Sequence, residues 1–345
     1  MDNFDRMKQS EETNKLLAEA FGQILNVNNI LKGHSFKKSY TALELFNLET
    51  ENIPKLLEPF LQKSGLATLV GTSDAGKSTF LRQLCLSIVL KSKAFLGFKL
   101  NPKHHRVIYV TTEDDYSSVS YSIIKQVNSL KKKIKNLDVS NLSNLEFIFD
   151  TENLYENLKT SIEENPVDLI VIDAFTDIYD KEINANTQVR RFLNIYSNLA
   201  FQNNCLILFL HHIGKNTQRK TPSKDSIIGS QAFEAKMRVV LELRPNFKNK
   251  NFIDLWVLKS NFLESSYKEK GIILERDKNL YFSNTGQTTN NIKDQKKDNK
   301  ELVEVVIKYH KEGLSYRKIE EKLKGTEFEI SKTGIGNIIK QIKND

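Results

Sequence analysis

Ala67-Thr-Leu-Val-Gly-Thr-Ser-Asp-Ala-Gly-Lys-Ser78 decides how this chain is read. A short apolar run of strand character passes straight into Gly-x-x-x-x-Gly-Lys-Ser, and a helical stretch, Ser78 to Leu90, follows. The chemistry requires these residue types in this order. Gly71 and Gly76 let the backbone bend until its N–H groups point inward at phosphate oxygens. The helix that opens near Lys77 adds the partial positive charge of its N-terminus. The Lys77 ammonium reaches the β- and γ-phosphates, and the Ser78 hydroxyl ligates Mg2+. The expected phosphate site is Gly71, Thr72, Ser73, Asp74, Ala75, Gly76, Lys77, Ser78 and Thr79, with ATP and Mg2+ as cofactors.

Outward from this loop, short apolar runs alternate with longer amphipathic stretches. The runs are Val107 to Val110, Leu145 to Phe149, Leu169 to Ile172 and Cys205 to Leu210, and Thr187 to Phe201 is one of the helical stretches between them. Continuous apolar runs belong to strands covered on both faces, and strand–helix alternation predicts a parallel sheet with crossover helices. The expected class is therefore α/β, a mostly parallel sheet flanked by helices. Val239 to Leu243, Phe252 to Leu258 and Gly271 to Leu274 read as a meander added to that sheet, with a turn over 246–251. Two of the apolar strands lead into acids. Asp173 ends Leu169-Ile-Val-Ile and is placed to hold Mg2+ with Ser78; Glu113 follows Val107-Ile-Tyr-Val-Thr-Thr. A carboxylate at the C-terminal edge of a parallel strand faces the crevice where such sheets bind ligands.

The phosphate loop, the acid Glu113, the strand-ending Asp173 and a further strand ending Leu210-His-His212 together resemble the RecA-type ATPase core. Within that class the chain is similar to the RepA-like hexameric replicative helicases. The likeness rests on Glu113-Asp114-Asp115, on His211-His212-Ile-Gly-Lys215 and on the approach segment from Asn52 to Gly71, and it covers about residues 45–280. The resemblance implies an ATP hydrolase acting on DNA as a homo-oligomeric ring, a hexamer, in which Glu113 polarises the attacking water and acts with Lys77. It implies that His211 or His212 senses the γ-phosphate; the residues leave the choice open. It implies that the polar loop from Lys215 to Ser230, with Lys215, Arg219, Lys220 and Lys224, lines a channel and grips single-stranded DNA, where cations neutralise phosphates. A neighbouring subunit would complete the site with Arg238, or with Lys259 in Leu258-Lys-Ser-Asn-Phe262, where Phe262 stands in place of the Arg that relatives carry. Tyr179, in the loop after Asp173, is a base-stacking candidate. The alternative is a RadA- or KaiC-type DNA-binding ATP switch that does not unwind.

Composition sets the outer bounds. The chain has 345 residues, a net charge of +8, 39% hydrophobic and 27% charged residues, which argues against wholesale disorder. No apolar stretch approaches the ~20 residues of a membrane span. The first residues, Met1 to Arg6, are polar and lack the apolar centre of a secretory signal. Cys85 and Cys205 sit among apolar residues and are expected to be buried and reduced, in a cytoplasmic protein. Residues 1–45 read as a helical extension, with Leu16, Leu17, Ala20, Phe21, Ile24 and Leu25 at helical spacing, and 46–283 as the ATPase core. Residues 284–300 hold a single apolar side chain, Ile292, and are expected to be a linker. Residues 301–345 read as a small all-α unit resembling a helix-turn-helix. Its third helix would present Lys332, Thr333, Asn337 and Lys340 to the major groove of duplex DNA. The net charge over 285–345 is only +3, so a protein-docking tail is the competing reading.

Overall fold

Strands without a polar break can rest only between two covering layers, and the fold supplies both. The computed structural model describes residues 39–214, 221–229, 231–246, 249, 251–290, 293–326 and 328–344. Six strands run parallel: β1 (Gly65–Gly71), β2 (Val107–Thr111), β3 (Leu145–Ile148), β4 (Leu169–Asp173), β5 (Leu206–His212) and β6 (Val239–Pro245). An antiparallel extension of β7 (Phe252–Ser260), β8 (Lys270–Arg276) and β9 (Phe282–Asn290) completes one nine-stranded sheet. Its order is β9-β8-β7-β6-β1-β5-β4-β2-β3. Helices α1 (Lys77–Val89) and α2 (Tyr116–Lys133) cover one face, and α3 (Leu154–Glu164) and α4 (Asn186–Gln202) the other. This is the predicted α/β architecture, a mostly parallel sheet flanked by helices. Cys85 and Cys205 are buried free thiols. Among the described residues no helix is long and apolar enough to cross a membrane.

Strand alternation assigns every side chain to a face. Along β5, Leu206, Leu208 and Leu210 join the core under α1, whereas Ile207 and Phe209 join the core under α4. Continuing the pattern, His212 falls on the α1 side and His211 on the α4 side. The register aligns the strand ends: Gly71 pairs with His212, Val70 with His211, and Thr111 with Asp173. The C-terminal edges of β1, β5, β4 and β2 therefore form one rim, with the phosphate loop at its β1 end.

The segment 284–300 is not the linker that its composition predicts. Residues through Asn290 form β9, paired with β8 in the register Leu274–Asn284, Ile272–Thr288 and Gly271–Thr289. From Lys293 onward the chain belongs to α5 (Lys293–Lys311). The physical reason is that an edge strand is held by backbone hydrogen bonds on one side and can carry polar side chains on the other. Composition gauges burial and is blind to such pairing. Gly271 permits the close approach, because a Cβ there would stand 2.5 Å from the Trp256 ring.

At the other end, the expected helix over 1–45 lies almost wholly outside the described residues. Only a five-residue turn of helix, Ala42–Phe46, is seen, opened by a Thr41–Glu44 capping box.

α5, α6 (Tyr316–Leu323) and α7 (Lys332–Asn344) enclose a core of their own, made by Val306, Ile319, Leu323, Ile335 and Ile339. Ser315 caps α6, its hydroxyl accepting from Lys318 N–H. Glu320 accepts from Lys332 N–H at 3.0 Å and ties α6 to the start of α7. Since this core is separate from those under the sheet, Ile319→Ala is expected to cost the C-terminal unit about 2–5 kcal/mol. Hydrogen exchange should then show lost protection over 301–340 with unchanged protection in β1–β5; loss in both would mean one cooperative unit.

Candidate active site

The loop after β1 owes its shape to two glycines. A Cβ on Gly71 would meet the Leu243 carbonyl oxygen at 2.5 Å, so only glycine fits beside β6. Gly76 takes φ +80° and serves as N-cap of α1 without a side-chain cap. α1 also has no acid in its first turn. The partial positive charge at its N-terminus is therefore met by no side-chain cap and no first-turn acid, the arrangement an anion completes. Lys77 is 6% exposed, and its Nζ donates to the Thr72 carbonyl at 2.8 Å. Burial pushes its pKa down, while Asp173, Glu113 and Asp74 act in the opposite direction.

Asp173 is buried beneath the loop at 1% exposure. Burial raises its pKa, and Tyr109, Ser78 and Arg82 oppose the rise. Tyr109, also fully buried, donates its hydroxyl to Asp173 Oδ2 at 2.6 Å. Burial and the Asp173 charge hold that phenol protonated, well above its ordinary pKa. The other carboxylate oxygen, Oδ1, is buried with no hydrogen bond of ordinary geometry. An unsatisfied carboxylate oxygen near a serine hydroxyl is a donor set for a hard divalent cation. Among the described residues no cluster of three or more His, Cys, Asp or Glu could hold a metal alone. That suits Mg2+, which keeps several waters and completes its shell from substrate phosphates. The residues present thus fit the cation that the phosphate loop calls for.

The three acids after β2 have three separate jobs. Glu113 is exposed, with Oε1 3.7 Å from His212 Nε2, and its charge bears on both Lys77 and Asp173. Asp114 is paired with Arg82 of α1, a side chain only 4% exposed. Burial acts to lower the Arg82 pKa, but Tyr109, Asp114 and Asp173 outweigh it and keep the cation charged. Asp115 caps α2, accepting from Ser118 N–H at 2.7 Å.

Comparisons with known proteins decide the family. The family described as an AAA domain matches residues 36–218, more than half of the chain. The chain belongs to the AAA domain family. No curated protein matches it. Among solved structures, the crystal structure of the RadB recombinase is similar at 15% identity and a TM-score of 0.46, covering 64% of this chain and 90% of that one.

The AAA match takes in the phosphate loop, Glu113, Asp173, His211 and His212, and ends before the strands from β6 onward. The paired histidines divide as alternation requires. His211 is fully buried, edge-on to Phe175 at 5.3 Å and tilted against Phe233 at 4.6 Å. Its Nε2–H donates to the Ile228 carbonyl at 2.8 Å. His212 alone faces Glu113. Arg238 lies at the far end of the sheet: its N–H donates to Leu66 O, and its guanidinium stands 5.1 Å over the Phe201 ring. The rise of β1 from Leu66 to Gly71 sets it about 17 Å from the phosphate loop. It cannot reach the nucleotide site of its own chain.

Other expected residues are placed differently. Lys259 is not a free cation: its Nζ contacts the Glu234 carboxylate and carbonyl, each at 2.9 Å. Glu234 also draws Lys224 to 3.5 Å, so Lys224 has an acid partner within the chain. Neither pairing is legible in sequence, because Glu234 sits on the short helix Gln231–Lys236, remote in order from both. Tyr179 is buried and stacked on Phe175, which removes it as a stacking platform for bases. Lys215, Arg219 and Lys220 lie outside the described residues. In α7, Lys332, Thr333, Asn337 and Lys340 are all exposed, while Ile335 and Ile339 point into the small core. Sequence reading missed Tyr109 and Arg82. The signal for Tyr109 was a hydroxyl inside an otherwise apolar strand, two residues before its polar end.

Glu113→Gln is expected to keep ATP binding and lower turnover by about 10²–10⁴, since an amide does not act as a base. Asp114→Asn should instead act mainly on stability, by about 1–3 kcal/mol, because it leaves Arg82 unpaired. Turnover and thermal unfolding of the two variants separate the roles; a catalytic loss confined to Asp114→Asn would reassign the base.

His211 supplies a pH test. Burial lowers its pKa from 6.5 to about 4, so the neutral ring is the one the fold accommodates. Its contribution is complete above the unfolded value near 6.5 and is lost as pH falls toward the folded value near 4. Unfolding measured across that window should show destabilisation of up to roughly 3 kcal/mol that His211→Gln removes.

Proposed function

We propose that the protein is a Mg2+-dependent ATP hydrolase that works on DNA as an oligomeric ring, in the manner of the RepA-like helicases. The observation that carries this is the end of β5. His212 faces Glu113 in the nucleotide crevice, and the adjacent His211 holds the Ile228 carbonyl on the opposite side. The segment from His212 to Ile228 leaves and returns at one point: Ile228 N–H donates to His212 O, Gly214 N–H to Ser226 O, and Ile213 bridges Ile227. A shift of the strand end on loss of the γ-phosphate therefore moves both feet of the loop that carries Lys215, Arg219 and Lys220.

In the hydrolytic step the phosphate-loop amides and Lys77 hold the β- and γ-phosphates. Ser78 and Asp173 hold Mg2+, which neutralises developing charge on the phosphate oxygens when bound. Glu113 orients a water in line with the γ-phosphorus and takes its proton. Lys77 stabilises the charge that builds on the phosphoryl oxygens. Arg238, placed out of reach of its own site, is the cation offered to a neighbouring subunit. His212, next to Glu113, is assigned as the γ-phosphate sensor.

Single-stranded DNA should stimulate ATP turnover by the assembled protein, and a forked duplex should be unwound. Stimulation without strand displacement would favour the RadA- or KaiC-type switch; no stimulation would leave a nucleotide site without a DNA role. Replacing Lys215, Arg219 and Lys220 together by Ala should reduce the log–log salt slope of single-stranded DNA binding by about 2 units. Lys224→Ala, whose charge Glu234 already meets, should leave that slope unchanged.

A further inference from the structure

The hairpin of β8 and β9 belongs to the antiparallel extension, beyond the span that the AAA family matches. Its turn nevertheless stands beside the phosphate loop. A Cβ placed on Gly76 would meet Arg276 Nη1 at 3.0 Å and the Phe282 ring at 3.1 Å. A Cβ on Gly71 would meet Lys77 Cδ at 3.3 Å. Each glycine of the loop therefore has a cationic side chain against it, one from α1 and one from the end of β8.

This approach is built by buried polar side chains. Gln83 of α1 brackets Phe282, its Oε1 accepting from Phe282 N–H at 2.6 Å and its Nε2 donating to Phe282 O at 2.9 Å. Gln126 of α2 donates through Nε2 to Thr79 O at 2.8 Å and to Leu280 O at 2.9 Å, joining the phosphate-loop helix to the hairpin turn. Both glutamines are buried. The Phe282 ring packs edge-on to Phe80 at 5.5 Å. Asp277 closes the turn by accepting from Asn279 N–H at 2.8 Å and Tyr281 N–H at 2.9 Å.

Arg276 is exposed and, among the described residues, its side chain makes no ion pair and no hydrogen bond. It is set against Gly76, the uncapped N-terminus of a helix with no acid in its first turn, whose first residue is Lys77. Asp173, Glu113 and Asp74 act on Lys77, but the helix N-terminus and Arg276 have no acid of their own, and a polyphosphate meets them together with Lys77. We propose that Arg276 is a second cation of the nucleotide site, contacting a phosphate of the bound nucleotide in the same subunit from the Gly76 side. The proposal rests on the phosphate-loop reading above and adds a residue to it. It also explains why the hairpin is tied to the loop, since Gln83 and Gln126 are positioning residues that keep Arg276 there.

The test is displacement of a fluorescent ATP analogue from the full-length protein by ATP and by tripolyphosphate, which has neither base nor ribose. Arg276→Ala should weaken both competitors about tenfold, a charge-assisted hydrogen bond at an exposed site. It should raise KM with kcat changed less than severalfold, and Arg276→Lys should recover part of the loss. Unchanged competition by both ligands overturns the proposal. A loss with ATP and none with tripolyphosphate also overturns it, by assigning Arg276 to the base or ribose. Failure of the underlying reading looks different: wild-type protein would not bind the analogue, or Lys77→Ala would bind it normally.

Discussion

An ionised carboxylate buried at the end of a strand covered on both faces is costly unless its oxygens find partners. Asp173 is such a group, and much of the site follows from satisfying it. Tyr109 donates to one oxygen, which it can do only while protonated, and burial keeps it so. Arg82 supplies a nearby cation from α1, one helical turn beyond Ser78, and is itself held by Asp114. Asp114 is the neighbour of Glu113, so the group that meets the buried charge also fixes the segment carrying the exposed acid. The oxygen left without a partner, Oδ1, is the one a divalent cation completes. The site is thus prepared for Mg2+ and phosphate by the needs of one carboxylate.

The second organising feature is the pleat of β5. Two adjacent histidines cannot point the same way on a strand, so one belongs to the nucleotide crevice and the other to the packing under α4. That geometric necessity turns a dipeptide into a junction. His212 stands beside Glu113, and His211 is bonded to the Ile228 carbonyl. Burial among Phe175 and Phe233 keeps the His211 ring neutral, so the bond is a constant of the fold near neutral pH.

The antiparallel extension has a position that its polarity disguises. β9 is an edge strand of Ser, Asn, Thr, Gly and Gln, with little to bury, yet its first residue, Phe282, lies against the phosphate-loop helix. The glutamine brackets from α1 and α2 hold the hairpin there through backbone atoms, which any side-chain sequence could offer. In this way an element outside the family's matched span becomes a wall of the nucleotide crevice.

The amino-acid order by itself determined the fold class, the phosphate loop and the two strand-end acids. The reason is that each depends on local pattern: apolar runs of strand length, glycines where the backbone must bend, a carboxylate where a parallel strand ends. The same holds for the three C-terminal helices, whose apolar spacing and Ser315 cap are local. Tertiary structure alone decided what depends on partners distant in order. It chose His212 over His211 as the residue facing Glu113, by the parity of β5. It neutralised Lys259 and Lys224 with Glu234 and buried Tyr179 against Phe175. It made a strand and a helix from most of 284–300, because pairing to β8 supplies backbone hydrogen bonds that composition cannot report. It brought Arg276 within reach of Gly76, about two hundred residues away along the chain, because sheet order sets neighbours by strand pairing and not by sequence distance.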